Sequence, residues 1–134
     1  MKKIVGLLVC VVVVVACGWL IFGDNDLLDV ELPFAFPAGN LAAAVMMVAM
    51  AAMPMLLAQP GSKLRFVAKW LLVAAVLWLP VSMALAGGMQ LSYSGWQSWA
   101  WMIYTLLLLL AIPGVLVWAV VATFVAARKG AGAG

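Results

Sequence analysis

Histidine is absent from this 134-residue chain, and only 8% of its residues are charged. The first absence excludes bis-histidine haem ligation, histidine-based zinc sites and histidine-dependent catalytic triads. The second excludes a water-soluble domain, which needs about 25% charged residues to cover its surface. There are four acids and seven bases. The bases are too few and too scattered to form a stripe that tracks phosphates, so no nucleic-acid partner is expected. Two cysteines, Cys10 and Cys17, supply neither a disulfide framework nor a closely spaced metal or redox pair.

What the chain does contain is apolar: 69% of residues are hydrophobic and the mean hydropathy is +1.27. A helix crosses the roughly 30 Å hydrocarbon layer with about 20 apolar residues. Four apolar runs reach that length, at about 4–22, 40–58, 66–86 and 98–127, with Lys69 the single charge within them. They are apolar on every face, which a membrane strand with alternating polarity is not. The expected fold is therefore all-α, a single four-helix transmembrane bundle with short connections and up-down order. The β-branched Val11 to Val15 run would weaken a helix in water, but lipid offers its backbone no other hydrogen-bond partner. Asn40 and Ser98 are the expected N-caps, Gly87-Gly88 ends the third helix, and Pro60-Gly61 breaks the chain after the second.

The cations set the expected orientation. Lys2 and Lys3 precede the first run, Lys63, Arg65 and Lys69 fall around the start of the third, and Arg128 and Lys129 follow the fourth. All of them fall on one side of an alternating bundle. The acids Asp24, Asp26, Asp29 and Glu31 share the loop at 23–39 on the other side. The positive-inside rule then predicts cytoplasmic termini and a multi-pass protein of the bacterial inner membrane. So one-sided a bias disfavours an antiparallel dual-topology dimer. Val14 to Cys17 also reads as a lipoprotein lipobox behind a basic n-region, but Gly18 to Phe22 continues the apolar run to spanning length, which favours an intact helix.

No Asp, Glu, Lys, Arg or His falls near the middle of any run, where proton relays and ion pathways place them. Lys69, about one turn into the third run, snorkels back to the headgroups. Cys10 and Cys17 are seven residues apart on one helical face, about 10 Å from each other and beyond disulfide reach. Met46, Met50 and Met53 form a stripe at helical spacing, and Met46-x-x-x-Met50 resembles one motif of copper-uptake channels. With Cys10 and Cys17 these thioethers are the candidate soft-metal ligands; packing against neighbouring helices is the preferred reading for all five. Alanines between the methionines permit close helix approach and make the second run the expected bundle centre.

Pro54, Pro80 and Pro113 interrupt helical runs. The fourth run is too long for the hydrocarbon layer, so tilt, a kink at Pro113-Gly114 or an emergent cytoplasmic end must absorb the excess. Trp19, Trp70, Tyr93, Trp96, Trp99, Trp101 and Tyr104 mark the interfaces, while Trp78 and Trp118 lie deeper and need packing or carbonyl partners. The acids of the 23–39 loop, with Phe34 and Phe36, form a candidate partner-docking surface: a short amphipathic turn over 24–32 followed by a segment dipping its aromatics into the headgroups. The Gly130 to Gly134 tail reads as flexible and low in complexity.

These features point away from catalysis and from any cofactor. The leading expectation is a non-catalytic interaction or accessory subunit of a larger membrane complex, partnered by the bilayer and by another membrane protein or its own copies. A membrane immunity or exclusion protein against a pore-forming toxin or phage is one alternative. A small channel or carrier, with Cu(I) as the candidate solute, is another.

Overall fold

The computed structural model describes residues 1–23, 31–32, 36–86 and 95–132. It contains four helices: α1 (Lys2–Phe22), α2 (Ala38–Leu57), α3 (Lys63–Ala86) and α4 (Trp96–Ala131). Each is long and apolar enough to cross a membrane. The all-helical, transmembrane-capable bundle expected from composition is thus the fold.

All four helices begin two or three residues ahead of their apolar runs, and α4 also ends beyond its own, because helix formation is not confined to hydrocarbon. α3 starts at Lys63, where Ser62 supplies the cap: its Oγ accepts from the Arg65 N–H at 3.2 Å and donates to the Gln59 carbonyl at 2.8 Å. Gly61, at φ 77°, takes the left-handed turn that joins α2 to α3. The expected caps at Asn40 and Ser98 are displaced inward. Both lie at the third helical position, and the residue before α4 is Gly95 at φ 114°, with no side-chain cap. At the other end α4 continues through Gly130 to Ala131, so the start of the supposed tail is helical. The Gly87-Gly88 stop lies outside the described residues, immediately after the last residue of α3.

Between α1 and α2, Glu31–Leu32 (β1) pairs antiparallel with Phe36–Pro37 (β2), with Glu31 opposite Pro37 and Leu32 opposite Phe36. A two-rung hairpin therefore occupies the end of the segment expected to form an amphipathic turn. Asp24, Asp26, Asp29 and Phe34 lie outside the described residues.

α2 packs against all three other helices, as its alanine content predicts, and α3 and α4 pack on each other. The main core joins Ala44, Met47 and Ala51 of α2, Leu71, Ala75 and Trp78 of α3, and Leu108 and Ile112 of α4. α1 stands apart. It packs chiefly on α2, and Cys17 is its buried residue. A Cβ on Gly6 would meet the Leu56 side chain at 3.2 Å, so the start of α1 lies beside the end of α2. Gly6, Cys10 and Cys17 fall on one helical face, which gives α1 a seam of small residues toward α2.

Candidate functional site

Two polar features interrupt the apolar interior, and both lie where α3 meets α4. In the first, the Trp78 indole N–H donates to Thr105 Oγ1 at 2.9 Å. Trp101 Nε1 donates to Ser82 Oγ at 2.7 Å, and that hydroxyl donates in turn to the Trp78 carbonyl at 2.5 Å. Tyr104 donates its hydroxyl to the Ala74 carbonyl at 2.5 Å. The two indoles lie 6.2 Å apart and tilted by 43°. Ser82 is completely buried, and among the described residues no buried side-chain nitrogen or oxygen lacks a partner. Every donor in the seam is tied off, as hydrocarbon demands. It joins two helices and offers no open polar group to a substrate.

The seam also fixes register. Ser82 is level with Trp101 and Trp78 with Thr105. Fifteen residues from Trp78 toward the start of α3 is Lys63, and fifteen from Thr105 along α4 is Val120. The small cluster of Ala58, Leu64 and Ala119 agrees with that alignment. α3 and α4 are therefore nearly flush at the end where Ala86 and Trp96 lie. At the opposite end α4 overhangs by residues 121–131, about 16 Å of helix. α4 runs as one helix through Pro113 and Gly114.

That end is the basic one. Lys2 and Lys3 at the start of α1, Lys63, Arg65 and Lys69 at the start of α3, and Arg128 and Lys129 at the tip of α4 all belong to it. Lys69 is exposed. Phe66 and Trp70 are exposed there and contact each other edge to face at 6.3 Å. Trp118, 45% exposed, is level with Arg65. Exposed Trp19, Phe22, Trp96 and Trp99 mark the far end. Trp101 and Tyr104, grouped with that belt on sequence grounds, turn inward into the seam.

The second feature is a groove of about 530 Å³ between the α2–α3 turn and the α4 overhang. Gln59, Ser62 and Lys63 line one side, and Trp118, Val121 and Lys129 line the other. Ala58 and Leu64, both buried, close its base. Thr123 also reaches it, with its hydroxyl donated to the Ala119 carbonyl at 2.8 Å.

The sulfur candidates lie on two helices. Cys17 is buried and Cys10 half-buried on α1, while Met46, Met50 and Met53 are half-buried on α2. The α2 stripe that enters the main core is the neighbouring one, Ala44, Met47 and Ala51, with Met50 packed against its edge. Among the described residues no three His, Cys, Asp or Glu side chains come together as a metal site. Of the loop candidates only the backbones of Glu31 and Phe36 are described, paired in the hairpin.

Sequence reasoning missed Ser82, Thr105 and the Ser62 cap. A signal existed for Ser82, which sits one turn beyond Trp78 on the face that carries Leu71 and Ala75, and a hydroxyl on such a face marks a helix contact. No family model, no curated protein and no solved structure matches this chain, so its task has to be read from its own residues.

Proposed function

We propose that this chain is a non-catalytic accessory subunit of a larger membrane complex in the bacterial inner membrane, with both termini in the cytoplasm. The orientation follows from the seven cations at one end of the bundle, which the positive-inside rule assigns to the cytoplasm. The observation that carries the subunit role is the placement of α1. This helix is held by one seam of small residues on α2, and it presents Ile4, Val5, Leu8, Val9, Val12 and Val15 outward. A second membrane helix meets those side chains with no polar group to desolvate. The interior supports the same reading, because its hydroxyl and indole groups satisfy one another and its remaining residues are close-packed alanine, methionine, leucine and isoleucine.

The acidic loop residues Asp24, Asp26, Asp29 and Glu31, with Phe34 and Phe36, would choose among partners by charge on the periplasmic side. Extraction in mild detergent at native expression, followed by native gel analysis and mass spectrometry, tests the role. A defined stoichiometric partner is the expected result. A chain that always runs alone overturns the proposal.

A further inference from the structure

We propose that the groove at the basic end holds the headgroup of one anionic phospholipid from the leaflet that surrounds that end. Its height sets the first constraint. The apolar part of α1 begins at Ile4, and Gly6 lies beside Leu56 near the end of α2, so the hydrocarbon boundary passes close to the α2–α3 turn. Exposed Phe66, Trp70 and Trp118 mark the same level. The groove starts at Ala58 and Leu64 on this boundary and is walled by the first turns of the α4 overhang. It therefore begins in the headgroup layer, which is about 5–7 Å thick on each side of the hydrocarbon, and extends outward from it along the α4 overhang.

Charge sets the second constraint. Lys63 and Lys129 line the groove from opposite walls, and both are exposed. Every acidic side chain falls between residues 24 and 31, in the link that leaves α1 at the far end from these ammonium groups. Gln59 and Ser62 add polar atoms beside Lys63, at the end of α3 where backbone N–H groups point out of the helix. Basic recesses between membrane helices suit anionic headgroups.

The apolar wall sets the third and selects a lipid over a free anion. Trp118, Val121 and Val125 line the groove and are exposed, so an occupant whose phosphate sits between the lysines continues along them into the hydrocarbon. A phosphate ion uses the lysines and leaves that wall wet.

The test is native mass spectrometry of the detergent-solubilised full chain with phosphatidylglycerol or phosphatidylcholine, repeated with millimolar inorganic phosphate. One phosphatidylglycerol is expected to be retained per chain, in preference to phosphatidylcholine and without competition from phosphate. Each basic residue near a membrane surface contributes about fivefold to anionic-lipid affinity. Lys63→Gln with Lys129→Gln should therefore lower phosphatidylglycerol retention about 25-fold and leave phosphatidylcholine unchanged. Lys2→Gln with Lys3→Gln, which removes equal charge outside the groove, should leave most of the preference intact. Circular dichroism of each variant checks that the fold is kept. Equal losses in both double variants, no preference between the lipids, or displacement by phosphate alone would overturn the proposal.

Discussion

Replacing Ser82 with alanine removes one oxygen and is expected to loosen the whole α3–α4 junction. Ser82 Oγ accepts from Trp101 at 2.7 Å and donates to the Trp78 carbonyl at 2.5 Å, and its residue has no exposed surface. The carbonyl keeps its helical N–H partner, so its loss is small. The indole N–H of Trp101 keeps nothing, and a donor stranded away from water costs about 1–3 kcal/mol. Hydrogen bonds between membrane helices average about 0.6 kcal/mol and reach about 1.7. Ser82→Ala should therefore destabilise by about 1–2 kcal/mol. Trp101→Phe removes the donor together with its need for an acceptor, so adding Ser82→Ala to it should cost little more. The predicted coupling in the double-mutant cycle is about 0.6–1.7 kcal/mol. Reversible unfolding in mixed dodecylmaltoside and dodecylsulfate micelles, followed by near-ultraviolet circular dichroism, measures it. Effects that add to within about 0.3 kcal/mol would refute the hydrogen-bond account of the seam.

Gly114 has nothing within 4 Å of an added Cβ, so Gly114→Ala should raise thermal stability in lipid nanodiscs, by up to about 1 kcal/mol where helix propensity alone acts. A loss there would mean that the glycine serves as a hinge. In a background with Cys10 and Cys17 replaced by serine, Pro60→Cys in the α2–α3 turn should react with a membrane-impermeant maleimide from the cytoplasmic side only, the side on which tags at both termini are expected. Labelling from the opposite face would reverse the orientation.

The spans were legible because hydrocarbon imposes one requirement, a long apolar run, and 4–22, 40–58, 66–86 and 98–127 satisfy it with Lys69 as their single charge. Their ends were less legible. Lys63 and Arg65 fail a hydropathy criterion, yet they extend α3 because Ser62 caps it in the headgroup layer, where charge and helix coexist. The same reason lets α4 run past Arg128 and Lys129. Inter-helix register was not legible at all. Nothing in the linear order says that Ser82 faces Trp101, so neither the inward turn of the Trp101 and Tyr104 side chains nor the overhang that shapes the groove was foreseeable. The centrality of α2 was, because alanine is the one feature that admits backbones on several sides.

Attachment of α1 rests on apolar packing against α2, whereas the seam between α3 and α4 is hydrogen-bonded, and the two should separate in order. Cys17 is its buried residue, and no side-chain hydrogen bond described between helices involves it. With apolar side chains as well covered by lipid as by α2, only close packing at Gly6, Cys10 and Cys17 favours the docked state. Gly6 is the tightest point, at 3.2 Å from a Leu56 methyl. Gly6→Ala should be absorbed by a small movement of that flexible side chain. Gly6→Leu has no such room and should weaken docking by about 1–3 kcal/mol. In a Cys10→Ser background, reaction of Cys17 with an apolar aromatic disulfide then reports release of α1, while the near-ultraviolet signal of Trp78 and Trp101 reports the seam. As dodecylsulfate is raised, Cys17 should become reactive before the indole signal is lost, and Gly6→Leu should advance the first transition without moving the second. Coincident transitions in both proteins would show that α1 is as firmly integrated as the other three helices, and the outward face proposed for a partner would lose its physical basis.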